Sequence, residues 1–213
     1  IIESIIIDND NKYQEVLGLG EKRDPSQLSK EEIRNIIKEA GIVGLGGAAF
    51  PTHIKLTPEN DEKIDYMIVN ASECEPYLSN DYQTMIEMPE KVVGGLKIIL
   101  SMFPKAKGII AIEDNKPKAI KVLRELADKE SNIQVREIKT KFPQGGERQI
   151  IYTITGRKIN SSLLPAEVGC LVNNVSTVIA IYEAVAESTP LITRITTVTG
   201  QAVSEPQNIR VMN

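Results

Sequence analysis

The chain of 213 residues has no tryptophan, a single histidine, two cysteines and few aromatics. Six Tyr and three Phe are too few for a surface that stacks many bases. Cys74 and Cys170 cannot make a disulfide framework or a four-cysteine metal site, so a reducing compartment is the simplest reading. No C-x-x-C occurs, and these residues alone therefore hold no iron–sulfur cluster. With only His53, histidine metal clusters and Ser–His catalysis lose support. Positive charge is also short: 25 Lys+Arg stand against 29 Asp+Glu, a net charge of −4. No cationic surplus is available to displace phosphate counterions, so no nucleic-acid partner is expected. Apolar runs such as Gly108-Ile109-Ile110-Ala111-Ile112 fall far below the ~20 residues of a membrane span, and no transmembrane segment is expected. The chain opens Ile1-Ile2-Glu3, with neither an initiator Met nor a basic region ahead of an apolar stretch. The expectation is a piece of a longer chain with no signal peptide in these residues.

What is present has the make-up of a soluble globular protein, with 41% apolar and 25% charged residues. A chain this long buries roughly 70% of its unfolded surface. Ile5-Ile6-Ile7 is a short strand candidate, followed by a polar, irregular stretch to residue 28. Ser29-Lys30-Glu31-Glu32 reads as a capping box, and Ile33, Ile36, Ile37 and Ala40 follow at helical spacing until Gly41. Short apolar strands at 66–69, 108–112 and 133–138 alternate with helical segments at 89–102 and 116–129. Further helices are expected over 147–155 and 174–187, and a strand over 191–199. This alternation predicts an α/β fold: a parallel sheet with helices on its faces. The organisation expected is a linker or strand segment at 1–28, the α/β domain at 29–190, and a different unit beginning at 191.

Four segments carry candidate chemistry. In Gly44-Leu45-Gly46-Gly47-Ala48-Ala49-Phe50-Pro51, three glycines in four positions allow amides to converge on an anion, with Lys55 near enough to add charge. A bare loop between helices is the alternative, since neither G-x-G-x-x-G nor the P-loop pattern is present. Asn70-Ala71-Ser72-Glu73-Cys74-Glu75-Pro76 follows a strand, at the edge where open α/β sheets bind ligands. It reads either as a hydrogen-bonding set for hydroxyls and ring N–H groups or as a solvated turn. Glu73 and Glu75 as a glycosidase pair find no other support, and Cys74 between two glutamates is a poor thiolate. Pro143-Gln144-Gly145-Gly146-Glu147 opens a helix with free amides, and Asn173-Asn174 follows Cys170-Leu171-Val172 at another strand-to-helix switch, where Asn174 also suits a simple N-cap.

Taken together and in this order, the four segments resemble the flavin-binding core of the RnfC family, across roughly residues 30–200. RnfC is the NADH-reacting subunit of the membrane Rnf electron transport complex and is related to the flavoprotein subunit of respiratory complex I. The resemblance implies a Rossmann-like domain with helices on both faces of its sheet, non-covalent FMN and NAD(H), followed by the start of a β-grasp (SLBB-type) segment. Carried over by motif, Gly44, Gly46, Gly47 and Lys55 line the FMN phosphate and ribityl side. Asn70, Ser72, Glu73, Gly145, Gly146, Asn173 and Asn174 contact the flavin. Phe50 stacks on the dinucleotide, and Glu75 and Glu147 face its polar groups. No catalytic residue and no metal ligand is implied; 4Fe-4S clusters are expected only in the full-length protein. Position 45 is Leu where the complex I relatives carry Arg, and position 72 is Ser where they carry Asp. The activity implied is NADH-dependent flavin reduction, with electrons passed to clusters outside the fragment. The implied partners are the other subunits of an Rnf-type complex, at the cytoplasmic face of the cell membrane. Cobalamin reductases and amino-acid-reductase electron carriers share the resemblance, and a flavin-free assembly module is the alternative from another class.

Overall fold

The computed structural model describes residues 8, 12, 14, 16–160 and 162–212. The strand expected at Ile5–Ile7 lies outside them.

The capping box forms as the spacing predicts. Ser29 Oγ accepts from the Glu32 amide, the Glu32 carboxylate accepts from the Ser29 amide, and α1 (Lys30–Glu39) follows. Its apolar stripe buries Ile33 and Ile37. A short α2 (Thr52–Lys55) closes the glycine loop. Three strands come next, β1 (Tyr66–Ala71), β2 (Lys107–Glu113) and β3 (Ile133–Ile138). Between them lie α3 (Asn80–Glu87), α4 (Pro89–Met102) and α5 (Pro117–Ala127). The remaining elements are α6 (Glu147–Thr155), β4 (Cys170–Asn174), α7 (Val175–Glu187) and the hairpin of β5 (Thr193–Val198) and β6 (Gln207–Met212).

The main sheet is parallel throughout, in the order β3-β2-β1-β4. After β3 the chain returns to the far side of β1, so the order reverses between β1 and β4. That reversal makes a crevice at the carboxyl ends of these two strands, the place where open α/β sheets bind ligands. Alternation along the strands sends side chains to two cores. Met67, Val69, Ala71, Ile110 and Ile112 pack with α1, α4, α5 and α7 on one face. Ile68, Ile109, Ala111 and Val172 pack with Ile150, Ile151 and Ile154 of α6 on the other. Helices thus cover both faces. Gly95 lets α4 approach α7 closely, because a Cβ there would collide with the Val178 carbonyl. β5 and β6 pair only with each other, antiparallel, as a separate two-stranded sheet.

Candidate functional site

The glycine loop is tied down at its ends and open at its tip. Gly44 N–H donates to the Phe50 carbonyl at 2.9 Å, and Val43 and Pro51 bridge. Leu45 N–H donates to Thr177 Oγ1 at 2.9 Å, which moors the loop to α7. Among the described residues, the N–H groups of Gly46, Gly47 and Ala48 have no intramolecular acceptor. Gly47 adopts φ +112°, a conformation that L side chains rarely take. A Cβ on Gly46 would stand 3.2 Å from Asn174 Cβ, so the loop lies against the end of β4. Phe50, at the loop's end, is 46% exposed.

Lys55, from α2, reaches across this crevice. Its ammonium donates to the Val172 carbonyl and to Glu147 Oε1, both at 2.9 Å. It thereby joins the loop to β4 and to the first residue of α6. Opposite, Asn70 Nδ2 donates to the Gly145 carbonyl at 2.8 Å, and Asn70 Oδ1 accepts from the Ser72 amide. The turn before α6 fits closely here: a Cβ on Gly145 would lie 3.1 Å from the Ser72 carbonyl oxygen. The Ser72 hydroxyl is buried and has no partner.

The remaining polar residues brace the site. Glu73 is buried, and its carboxylate accepts from the amides of Asp81 and Tyr82 at the start of α3, at 2.9 and 3.3 Å. Burial pushes its carboxyl up, against the pull of those amides and of Lys116. Asp81 accepts from Asn174 Nδ2 at 2.6 Å and from the Ser176 hydroxyl at 2.8 Å. Its carboxyl is pushed up by burial as well. Asn174 caps α7 through the Ser176 amide, which is the N-cap role its position suggests. Asn173 is buried with its amide on Met67 Sδ. Cys74 Sγ faces Glu75 at 3.9 Å.

All four predicted segments therefore converge on the crevice between β1 and β4. Gly46, Gly47, Phe50, Lys55, Glu147 and the Gly145-Gly146 turn surround it, while the side chains of Glu73, Asn70 and Asn174 are spent on neighbouring protein groups. Asp81, Glu113 and Gln144 were not singled out by sequence, because nothing local distinguishes them from surface polar residues. A cavity of about 140 Å³ lies away from the strand ends, between α3, α7 and the hairpin. No helix among the described residues is long and apolar enough to cross a membrane.

Residues 37–183 match the family model described as the Nuo51 FMN-binding domain. The chain is 47% identical over 98% of its length to the RnfC-type subunit of the proton-translocating ferredoxin:NAD(+) oxidoreductase complex of Clostridium ljungdahlii, covering 46% of that protein. It is 44% identical over 86% of its length to the counterpart from the Na(+)-translocating complex of Acetobacterium woodii, covering 42% of it. The chain thus spans less than half the length of these relatives. Among solved structures, a chain of the NAD+-reducing [NiFe]-hydrogenase superposes with a TM-score of 0.71 at 21% identity, over 89% of this chain and 37% of that one. With a family match over most of the α/β domain and relatives sharing nearly half their residues with it, the chain belongs to the Nuo51 FMN-binding domain family and is of the RnfC type.

Proposed function

We propose that this chain is the FMN- and NAD(H)-binding electron-transfer module of an Rnf-type ferredoxin:NAD+ oxidoreductase complex. The observation that carries the reading is the crevice at the β1/β4 reversal. There, three open amides, a lysine and an unpartnered serine hydroxyl gather at one sheet edge. The fit to FMN is chemical. Converging N–H groups and an ammonium suit a phosphate, and hydroxyl and amide groups at the strand ends suit ribityl oxygens and a polar ring edge. Glycine at 46 and 145 keeps the crevice free of Cβ atoms that would press on Asn174 and Ser72.

When bound, FMN supplies acceptance of a hydride and return of the electrons singly. The protein's part is positional. Gly46, Gly47 and Ala48 present N–H donors, and Lys55 holds its charge between β4 and α6. Asn70 fixes the Gly145-Gly146 turn through the Gly145 carbonyl. Glu73 and Asp81 hold the start of α3, and through Asn174 they hold the wall behind the glycine loop. Exposed Phe50 offers a flat apolar face for the nicotinamide dinucleotide, with Glu75 and Glu147 as acceptors for its hydroxyl and amide groups. The partners proposed are the other subunits of the membrane complex, docked peripherally on its cytoplasmic face. Iron–sulfur clusters lie outside these residues, and the segment from 191 on opens a β-grasp unit.

The test is titration of the purified chain with FMN, followed by anaerobic addition of NADH. Saturable quenching of flavin fluorescence and bleaching of the flavin band by NADH are expected. Binding without bleaching would overturn the NAD(H) half of the reading, and absence of binding would overturn the flavin half.

A further inference from the structure

Among the described residues, the buried side-chain oxygens and nitrogens that lack a hydrogen-bond partner belong to three residues: Ser72, Glu113 and Gln144. The topology puts these three together. Glu113 ends β2 and is registered on Ile138 of β3. On its other side Ala71 is registered on Ile112, so Ser72 is the next residue outward beside Glu113. Alternation turns Glu113 toward the α6 face, with Ile109 and Ala111. The chain between β3 and α6 closes over that face. It carries Gln144, 1% exposed, and then Gly145 against Ser72.

These unpartnered atoms are acceptors, apart from the single proton of the Ser72 hydroxyl. The floor of the crevice is short of donors. Glu113 is 0% exposed, and an ionised carboxylate with neither oxygen bonded is far costlier to bury than the neutral acid. Its charged neighbours do not repair this. Lys116, from the residue before α5, lies 3.8 Å from Glu73 Oε2 and over the Tyr82 ring, so its charge is shared among three groups. Asp114 adds negative charge, and the amides of Glu73 and Lys141 face Glu113 without making hydrogen-bond contact. The core on the α6 side presents Ile138, Ile150 and Ile151.

We propose that Glu113 is a neutral carboxylic acid at physiological pH and supplies the donor that this floor lacks, which makes it a positioning residue for the 139–146 loop and its Gly145-Gly146 turn. The direction of its titration agrees: burial pushes the carboxyl up, against the pull of Lys116. Because the folded-state value is raised, the native chain holds a proton that the unfolded chain has released. That contribution is complete below the ordinary glutamate range and is lost as pH rises from there through the folded value. The consequence for ligand retention rests on the FMN reading above: deprotonation puts an unpaired charge beneath the turn and loosens it.

The experiment uses infrared spectroscopy and FMN titration across pH, on the wild type and on Glu113→Gln. The amide matches the neutral acid in shape and charge and carries its own donor. Expected is a protonated-carboxyl band at neutral pH that Glu113→Gln lacks. FMN affinity should fall with rising pH in the wild type, by up to about tenfold per pH unit for one linked proton, and stay flatter in Glu113→Gln. A band unchanged by the substitution overturns the proposal. So does a Glu113→Gln chain that fails to fold, or a wild-type pH profile that the variant reproduces. If neither form binds FMN, the flavin reading fails, and the infrared band still decides the proton on Glu113.

Discussion

Lys55 makes two contacts that compete with a phosphate, and their strengths can be compared. Its pair with Glu147 joins side chains that are 28% and 41% exposed, so solvent screening leaves it about 0.2–1 kcal/mol. The bond to the Val172 carbonyl is shorter of water but engages a neutral acceptor. A charge-assisted bond from the same ammonium to a phosphate is worth about 1.5–3 kcal/mol. The phosphate therefore outweighs Glu147, and the ion pair acts as a resting partner that the ligand displaces. Lys55→Met keeps the apolar stem and removes the charge. It should weaken FMN binding about 10- to 100-fold while leaving riboflavin, which has no phosphate, nearly unchanged. Glu147→Gln should do the reverse and tighten FMN by up to about fivefold, the whole worth of the screened pair. The assay is fluorescence titration with each flavin, read as the ratio of the two dissociation constants. If Lys55→Met weakens both flavins equally, Lys55 serves only to clamp β4 to α6, and the phosphate assignment falls.

Gly46→Leu should abolish FMN retention with an unchanged far-UV circular dichroism spectrum, because its first carbon already presses on Asn174; full occupancy in the variant would refute the loop's role. Asp81→Ala strands the Asn174 amide and the Ser176 hydroxyl, at roughly 1–3 kcal/mol for each buried donor, and should lower the urea midpoint. Burial raises the Asp81 carboxyl in the folded state, so the stability gap between wild type and Asp81→Ala should narrow as pH rises above the ordinary aspartate range; a gap that widens would reverse the argument. Glu75→Gln should slow reduction of bound flavin by NADH more than it alters flavin affinity, and an unchanged rate in stopped flow would remove Glu75 from the nucleotide site.

Much of the scaffold is legible because its signals are local. The Ser29–Glu32 box, the Gly146–Glu147 start of α6 and the apolar runs of β1, β2 and β3 each declare themselves within a few residues. α3 was missed for a physical reason. Ser79 makes no side-chain cap, and the helix start is held instead by Glu73, eight residues earlier, whose carboxylate takes the Asp81 amide. The same fact redirects Glu73 itself. Its motif places it on the flavin, whereas its two oxygens are turned to α3 and it stands behind the site. β6 escaped notice because its residues are polar or half-exposed and pair only with β5.

What no local signal could supply is the neighbour relation between β1 and β4. Asn70 is registered on Asn174 across more than a hundred residues of chain, and that pairing alone brings the glycine loop, the Asn70–Ser72 turn and the α6 start to one crevice. Each segment read singly admits a bland reading as a loop, a turn or a cap. Their order along the chain resembles a family's, and that order is a record of topology rather than of chemistry. The resemblance therefore stood in for strand order, which composition and periodicity do not encode. It stopped at the buried carboxylates, whose partners come from three different elements: Asp81 depends on Asn174 and Ser176, and Glu113 on a loop that begins after β3. These groups lie behind the residues that touch the crevice. Their influence on the site is exerted through position and charge, and so it is visible only once the sheet is assembled.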